Sequence, residues 1–215
     1  MKIERIIKKD DKKVFLILEN EERILLSKDI VYKSGLRKND KISEDLIKKL
    51  LEDEKKLNIK HKALSFLKRR LHSRKELFIK LRRHFSEVKL IEECLSDLSE
   101  KKFIDDEHFA AMFVQEKLRL KKWSKSKLTS ELLLKGIDKQ TIENCLNKLF
   151  DTELEKDKAF ELLQKKFNSI QSKTNDKKIM YRKLMMFLQS KGYDYQLSSE
   201  LIGKVLKVNE DEFNL

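Results

Sequence analysis

The spacing of apolar positions changes near residue 42. Before it, residues 2–7, 14–18 and 23–26 are short apolar or alternating runs divided by charged segments such as Glu19-Asn20-Glu21-Glu22, and they predict a small antiparallel strand set. Residues 27–32 predict a helical turn that Gly35 ends. Ser43 followed by Glu44 and Asp45 suits the cap and acidic first turn of a longer helix, where orphan N–H groups attract oxygen atoms and negative charge. The apolar positions Leu46, Ile47, Leu50 and Leu51 then lead toward Ala63, Leu64, Phe66, Leu67 and Leu71, a pattern that fits one continuous helix or two with a break near Asn58.

Beyond that point one helical pattern occurs three times. Displacing the chain by 51 positions sets Leu77, Leu81, Ile91, Cys94, Leu95 and Leu98 on Leu128, Leu132, Ile142, Cys145, Leu146 and Leu149. A displacement of 56 sets Leu128, Leu132, Lys135, Gly136, Asp138, Gln140 and Leu146 on Leu184, Leu188, Lys191, Gly192, Asp194, Gln196 and Ile202. The punctuation recurs as well. Ser73 with Glu76, and Thr152 with Glu155, have capping-box spacing; Ser86, Asp105, Ser124 and Asp138 stand where helices should start; Gly136 and Gly192 stand where they should stop. Copy one has His84-Phe85 in place of that glycine.

A period near 50 residues built from helices implies stacked units, because one such unit has too little apolar surface to fold alone. The expected fold is mainly α: a tandem array of three three-helix repeats, elongated and curved, with a small N-terminal antiparallel β element. The expected boundaries are a β element over 1–42, a linking helix and first repeat over 43–106, a second repeat over 107–150, and a third repeat with an acidic tail over 151–215.

Composition narrows the function. Apolar residues make up 40% of the 215, enough for a core, and no apolar run approaches the roughly 20 residues that span a bilayer. Residues 1–5 lack the apolar stretch of a signal peptide, so the expectation is a soluble cytoplasmic protein with no membrane partner. Cys94 and Cys145 occupy equivalent inward positions and read as buried free thiols. The four glycines are scattered rather than gathered in a phosphate loop, and no Cys or His pair has zinc spacing. His61, His72, His84 and His108 read as surface or interface residues, and Asp105, Asp106 and Glu107 as helix-capping acids rather than a metal site. No enzyme activity, cofactor or metal is expected.

The formal charge of +13 needs discounting, because 40 lysines against 10 arginines can partly reflect an AT-rich genome. The arginines escape that objection: Arg69, Arg70, Arg74, Arg82 and Arg83, half of all of them, fall within fifteen residues. Guanidinium groups grip phosphate or carboxylate with two bonds. Between residues 60 and 83 ten cations face one acid, Glu76, and the equivalent part of copy two adds Lys117, Arg119, Lys121, Lys122, Lys125, Lys127 and Lys135 against Glu131. An ordinary helix surface intersperses opposite charges. The candidate partner- and nucleic-acid-binding residues are therefore Lys68, Arg69, Arg70, Arg74, Lys75, Arg82, Arg83, Lys121, Lys122, Lys125 and Lys127, facing phosphate or an acidic protein surface. Trp123 and the tyrosines beside Gly192 read first as packing residues and second as base-stacking ones.

The ordered set Ser73-x-x-Glu76-Leu77-x-x-x-Leu81, Phe103-Ile104-Asp105-Asp106-x-x-Phe109-Ala110 and Glu131-Leu132-x-x-Lys135-Gly136-Ile137 resembles the RecX family of bacterial recombination regulators. The likeness covers copies one and two closely and copy three more loosely, through Lys183-Leu184 and residues 188–194. It implies three tandem three-helix units and a non-enzymatic role. That role is binding of the RecA recombinase, chiefly its filament on single-stranded DNA, with modulation, in most members inhibition, of recombination and the SOS response; a monomer is expected because the array can close its own core. Two rivals keep the same basic face: a sequence-independent DNA-binding protein without a recombinase partner, and a helix-turn-helix regulator. The third helices of copies two and three, over 139–150 and 195–208, contain no arginine, which argues against base readout there. A purely structural helical adaptor would bind neither DNA nor recombinase.

Overall fold

The computed structural model describes residues 1–207, apart from the side chains at positions 152 and 153. The expected acidic tail and the Thr152 capping box lie outside what is described. Strands β1 (Ile3–Lys8), β2 (Lys13–Leu18) and β3 (Arg23–Ser27) form one antiparallel sheet in the order β1-β2-β3. At the first turn the Asp10 carboxylate accepts from the N–H groups of Lys12 at 2.7 Å and Lys13 at 2.8 Å, closing the hairpin with a side chain. Helix α1 (Lys28–Ser34) follows and stops at Gly35, whose φ of +66° is the left-handed cap expected of glycine.

Helix α2 (Glu44–Leu67) is a single helix through Asn58, with Ser43 accepting from the Leu46 N–H at 3.2 Å. Asn58 is accommodated because its side chain donates to Glu54 one turn earlier in the same helix. This buried carboxylate accepts from the Ser27 N–H at 2.6 Å, the Ser27 hydroxyl at 3.0 Å, Asn58 at 3.1 Å and Lys13 at 3.3 Å, joining sheet, α1 and α2 at one point. Leu16, Leu18, Ile24, Leu26, Ile42 and Leu50 fill the space beneath. The C-terminal half of α2 packs through Ile59 and Ala63 on α3 (Arg74–Arg82) and α4 (Val88–Glu100), where Leu77, Leu81, Ile91, Leu95 and Leu98 are fully enclosed.

The remaining helices are α5 (Asp106–Lys121), α6 (Lys125–Leu134) and α7 (Lys139–Leu149), then α8 (Thr152–Gln171), α9 (Lys177–Ser190) and α10 (Tyr195–Leu206). The repeated apolar positions are core positions in each copy: Leu128, Leu132, Ile142 and Leu146 in one cluster, Leu184, Leu188 and Ile202 in another. Asp105, Ser124, Asp138 and Asp194 each accept an N–H three residues on, as their spacing predicts. Among the described residues no helix is long and apolar enough to cross a membrane.

Three expectations are corrected. Ser86 does not cap α4: its N–H and hydroxyl both donate to the Glu87 carboxylate, and the helix starts one residue later, with the Glu87 carbonyl accepting from Ile91. His72 is buried rather than exposed, with Nδ1 2.9 Å from the Arg70 carbonyl. Cys94 is half-buried rather than enclosed, whereas Cys145 is buried, and burial pushes both thiols up.

By contacts the chain forms two compact units. One comprises residues 1–72 and 77–104; the other comprises residues 73–76 and the chain from Asp105 onward.

Candidate partner and nucleic-acid interface

In the first unit the candidate cations gather at two helix ends. Lys68, Arg69 and Arg70 follow the last residue of α2, Arg82 ends α3, and Arg83 comes directly after it. Positive side chains suit the unsatisfied carbonyls and negative dipole end of a helix C-terminus. Arg82 donates to the carbonyls of Phe85 at 3.2 Å and Ser86 at 2.7 Å, and Arg70 to that of Leu71 at 2.7 Å. Lys68, Arg69 and Arg83 are exposed and make no salt bridge among the described residues. Phe66 draws the two ends together. Its ring carries Lys62 at 5.4 Å and Lys80 at 5.0 Å, and stands 6.3 Å from His72 and 6.1 Å from His84.

In the second unit Arg74 and Lys75 open α3. The Arg74 N–H donates to Asp106 at 2.9 Å, so an acid at the start of α5 caps a helix distant in sequence. Ser73 Oγ donates to the Lys135 carbonyl at 2.7 Å while accepting from the Glu76 N–H at 3.1 Å, and Glu76 is paired with Lys135 at 2.6 Å. Gly136, at φ +81°, lies so close to Lys75 that a Cβ there would stand 2.7 Å from the lysine Cβ. The joint recurs one copy later. The Lys125 N–H donates to Glu155 at 3.2 Å, the Ser124 N–H to the Lys191 carbonyl at 3.0 Å, and Gly192, at φ +90°, lies against Ser124 and Lys127.

The lysine group at the end of α5 and the start of α6 divides. Lys121 and Lys125 are exposed, whereas Lys122 is paired with Glu161, a carboxyl held at about 2 by hydrogen bonds from Lys122 and Lys165. Lys127 is paired with Glu131 at 3.0 Å and lies over the Trp123 ring at 5.7 Å. Pairing of the sequence-distant Lys122 and Glu161 follows from tertiary packing alone.

The chain compares with known proteins as follows. Residues 105–146 match the model for the second three-helix domain of RecX, and residues 153–202 that for the third. A regulatory protein RecX of Clostridium beijerinckii is 35% identical over 97% of this chain and 96% of its own length. The one from Clostridioides difficile is 31% identical over 97% and 95%. The chain belongs to the RecX family. Two solved RecX structures share the fold: one at a TM-score of 0.69 and 19% identity over 96% of this chain and 98% of that one, the other, from Lactobacillus salivarius, at 0.56 and 24% over 71% and 96%.

Within this RecX chain, sequence reasoning passed over the aromatic centres. Phe66 with His72 and Phe113 with Trp123 are equivalent pairs, with ring centroids 6.3 Å and 6.1 Å apart. Lys135 stands over Phe113 at 5.1 Å as the counterpart of His84 beside Phe66. The signal was present as Ala63-x-x-Phe66 and Ala110-x-x-Phe113, but copy two has one extra helical turn before its serine cap, so one fixed displacement does not align both helices. The Phe-Ile-Asp-Asp segment splits as well: Ile104 is buried, Asp105 caps α5, and Phe103 is 55% exposed.

Proposed function

We propose that this RecX-family protein binds RecA and its filament on single-stranded DNA and inhibits recombinase activity, and through it recombination repair and the SOS response. The observation that carries the reading is relatedness over nearly the whole chain to proteins named as regulatory RecX. Exposed Lys68, Arg69 and Arg83 in the first unit and Lys121 and Lys125 in the second support it, since these groups are open to acidic protein surface or DNA backbone. Lys122, committed to Glu161, has the least to offer a partner. The protein acts as a monomer bridging neighbouring recombinase protomers, which hinders filament growth or turnover.

The test is RecA ATPase on single-stranded DNA with the protein added, alongside filament length. The reading expects a lowered rate and shorter filaments; no change at saturating protein ends it. Combined replacement of Arg69, Arg70 and Arg74 by glutamate is expected to weaken the effect with helical content retained. Binding to naked DNA without preference for the recombinase-coated strand would favour a sequence-independent DNA-binding protein instead.

A further inference from the structure

The turn between α5 and α6 carries the chain's single tryptophan, Trp123, half-buried. Two hydrogen bonds fix this turn to the end of α9: the Ser124 N–H donates to the Lys191 carbonyl at 3.0 Å, and the Tyr193 hydroxyl to the Lys122 carbonyl at 2.8 Å. They bring Lys121, in the last turn of α5, into the neighbourhood of Lys191, the C-cap of α9. Lys191 is half-buried, places its ammonium group over the Phe187 ring at 5.5 Å and makes no salt bridge among the described residues. Burial first, and the charge of Lys121 second, hold its ammonium group below the ordinary lysine range. Two acids border the turn: Glu161 is taken by Lys122 and Lys165, and Glu155 accepts from the Lys125 N–H at 3.2 Å. An anion would relieve both the desolvation and the like-charge repulsion.

The indole itself is dressed with cations. Lys117 and Lys127, paired with Glu116 at 2.6 Å and Glu131 at 3.0 Å, place their ammonium groups 5.8 Å and 5.7 Å from its ring centroid, and Phe113 braces it at 6.1 Å. Lysine stems are flexible enough to leave a ring face that a base covers while keeping their carboxylate partners. In copy one the equivalent position holds the buried His72, so the arrangement belongs to copy two.

We propose that this turn is a binding site for single-stranded nucleic acid, in which the Trp123 indole stacks on an unpaired base and Lys121 and Lys191 hold the adjoining phosphate. The choice of a single strand rests on the function proposed above. Stacking is tolerant of sequence because every base has a π-face, and it selects unpaired bases because those in a duplex already cover one another.

The experiment is titration of the full chain with a single-stranded homothymidine oligonucleotide, read by intrinsic tryptophan emission, which here reports one residue. Expected are saturable quenching, affinity about tenfold weaker for Trp123→Ala, and for the exposed Lys121→Glu a salt slope smaller by about one. Lys121→Glu leaves the indole packing intact, so it tests the site even if Trp123→Ala disturbs the fold. Binding without any change in emission overturns the proposal, as does equal quenching by a duplex, undiminished affinity in both variants, or no binding of the bare strand. These outcomes are separable from failure of the recombinase reading. A protein that inhibits RecA yet leaves Trp123 unquenched refutes the site alone, and one quenched by the strand yet inert toward RecA refutes the regulatory reading alone.

Discussion

Single residues set the tolerances of this molecule, and three glycines show the range. Gly35, Gly136 and Gly192 all have positive φ, but a Cβ on Gly35 meets nothing, one on Gly136 meets the Lys75 side chain, and one on Gly192 overlaps Ser124 and comes within 2.9 Å of the Lys127 backbone nitrogen. Gly35→Ala is expected to cost only the left-handed backbone penalty, about 1–2 kcal/mol. Gly136→Ala and Gly192→Ala add steric overlap and should cost more, with Gly192 the worst because backbone cannot swing aside; urea midpoints for the three variants check the order. Glu54 is the other sensitive residue. Burial pushes its carboxyl up, but the Ser27 N–H and hydroxyl, Lys13 and Asn58 outweigh that and hold it below the ordinary 4.5. Its stabilising contribution is therefore complete above that ordinary value and is lost as pH falls through the depressed native one. Glu54→Ala strands the buried Ser27 N–H, at about 1–3 kcal/mol, and Glu54→Gln should flatten the acid limb of a stability-against-pH curve.

At the level of elements, one arrangement of helix ends occurs twice within the second unit. An acid at the start of one copy's first helix accepts from the first N–H of the preceding copy's second helix, as Asp106 does for Arg74 and Glu155 for Lys125. These carboxyls behave oppositely to Glu54: burial raises both, more than the accepted N–H lowers them. Acidification through their raised native values thus favours the folded joint, the reverse sign of the Glu54 effect. Asp106→Asn keeps an acceptor without burying charge and is expected to equal or slightly exceed the parent in stability at neutral pH. Asp106→Ala loses the cap and should cost about 1 kcal/mol. Thermal melts of both variants at neutral and mildly acidic pH distinguish the two effects. Copy one needs no glycine after α3, because that glycine serves a joint with a preceding three-helix copy, and copy one has the strand element before it instead.

For the molecule as a whole, charge is the governing property of the proposed function. With a net +13 and open cations in each unit, association with an acidic filament should weaken with ionic strength, since released counterions lose their entropic advantage in salt. The protein concentration giving half-inhibition of RecA ATPase is expected to rise as salt is raised through the physiological range. The dependence should be shallower for the Arg69, Arg70 and Arg74 triple glutamate variant. A salt-independent effect would point to apolar docking and against the basic residues.

Periodicity alone determined the strand set, the repeated cores from Leu77 to Ile202 and most of the helix caps, because each depends on neighbours within a few residues of the chain. It also located the basic segments, since charge density is a property of composition. What tertiary structure decided were the partners. Lys122 and Glu161 are far apart in sequence and form an ion pair; His72 packs against Phe66 rather than facing solvent; Asp106 caps a helix other than its own; the Ser124 N–H finds its acceptor in the distant Lys191 carbonyl. A helix cap is written in consecutive residues and can be read there, whereas the neutralisation or isolation of a charge depends on which distant carboxylate the packing brings within reach.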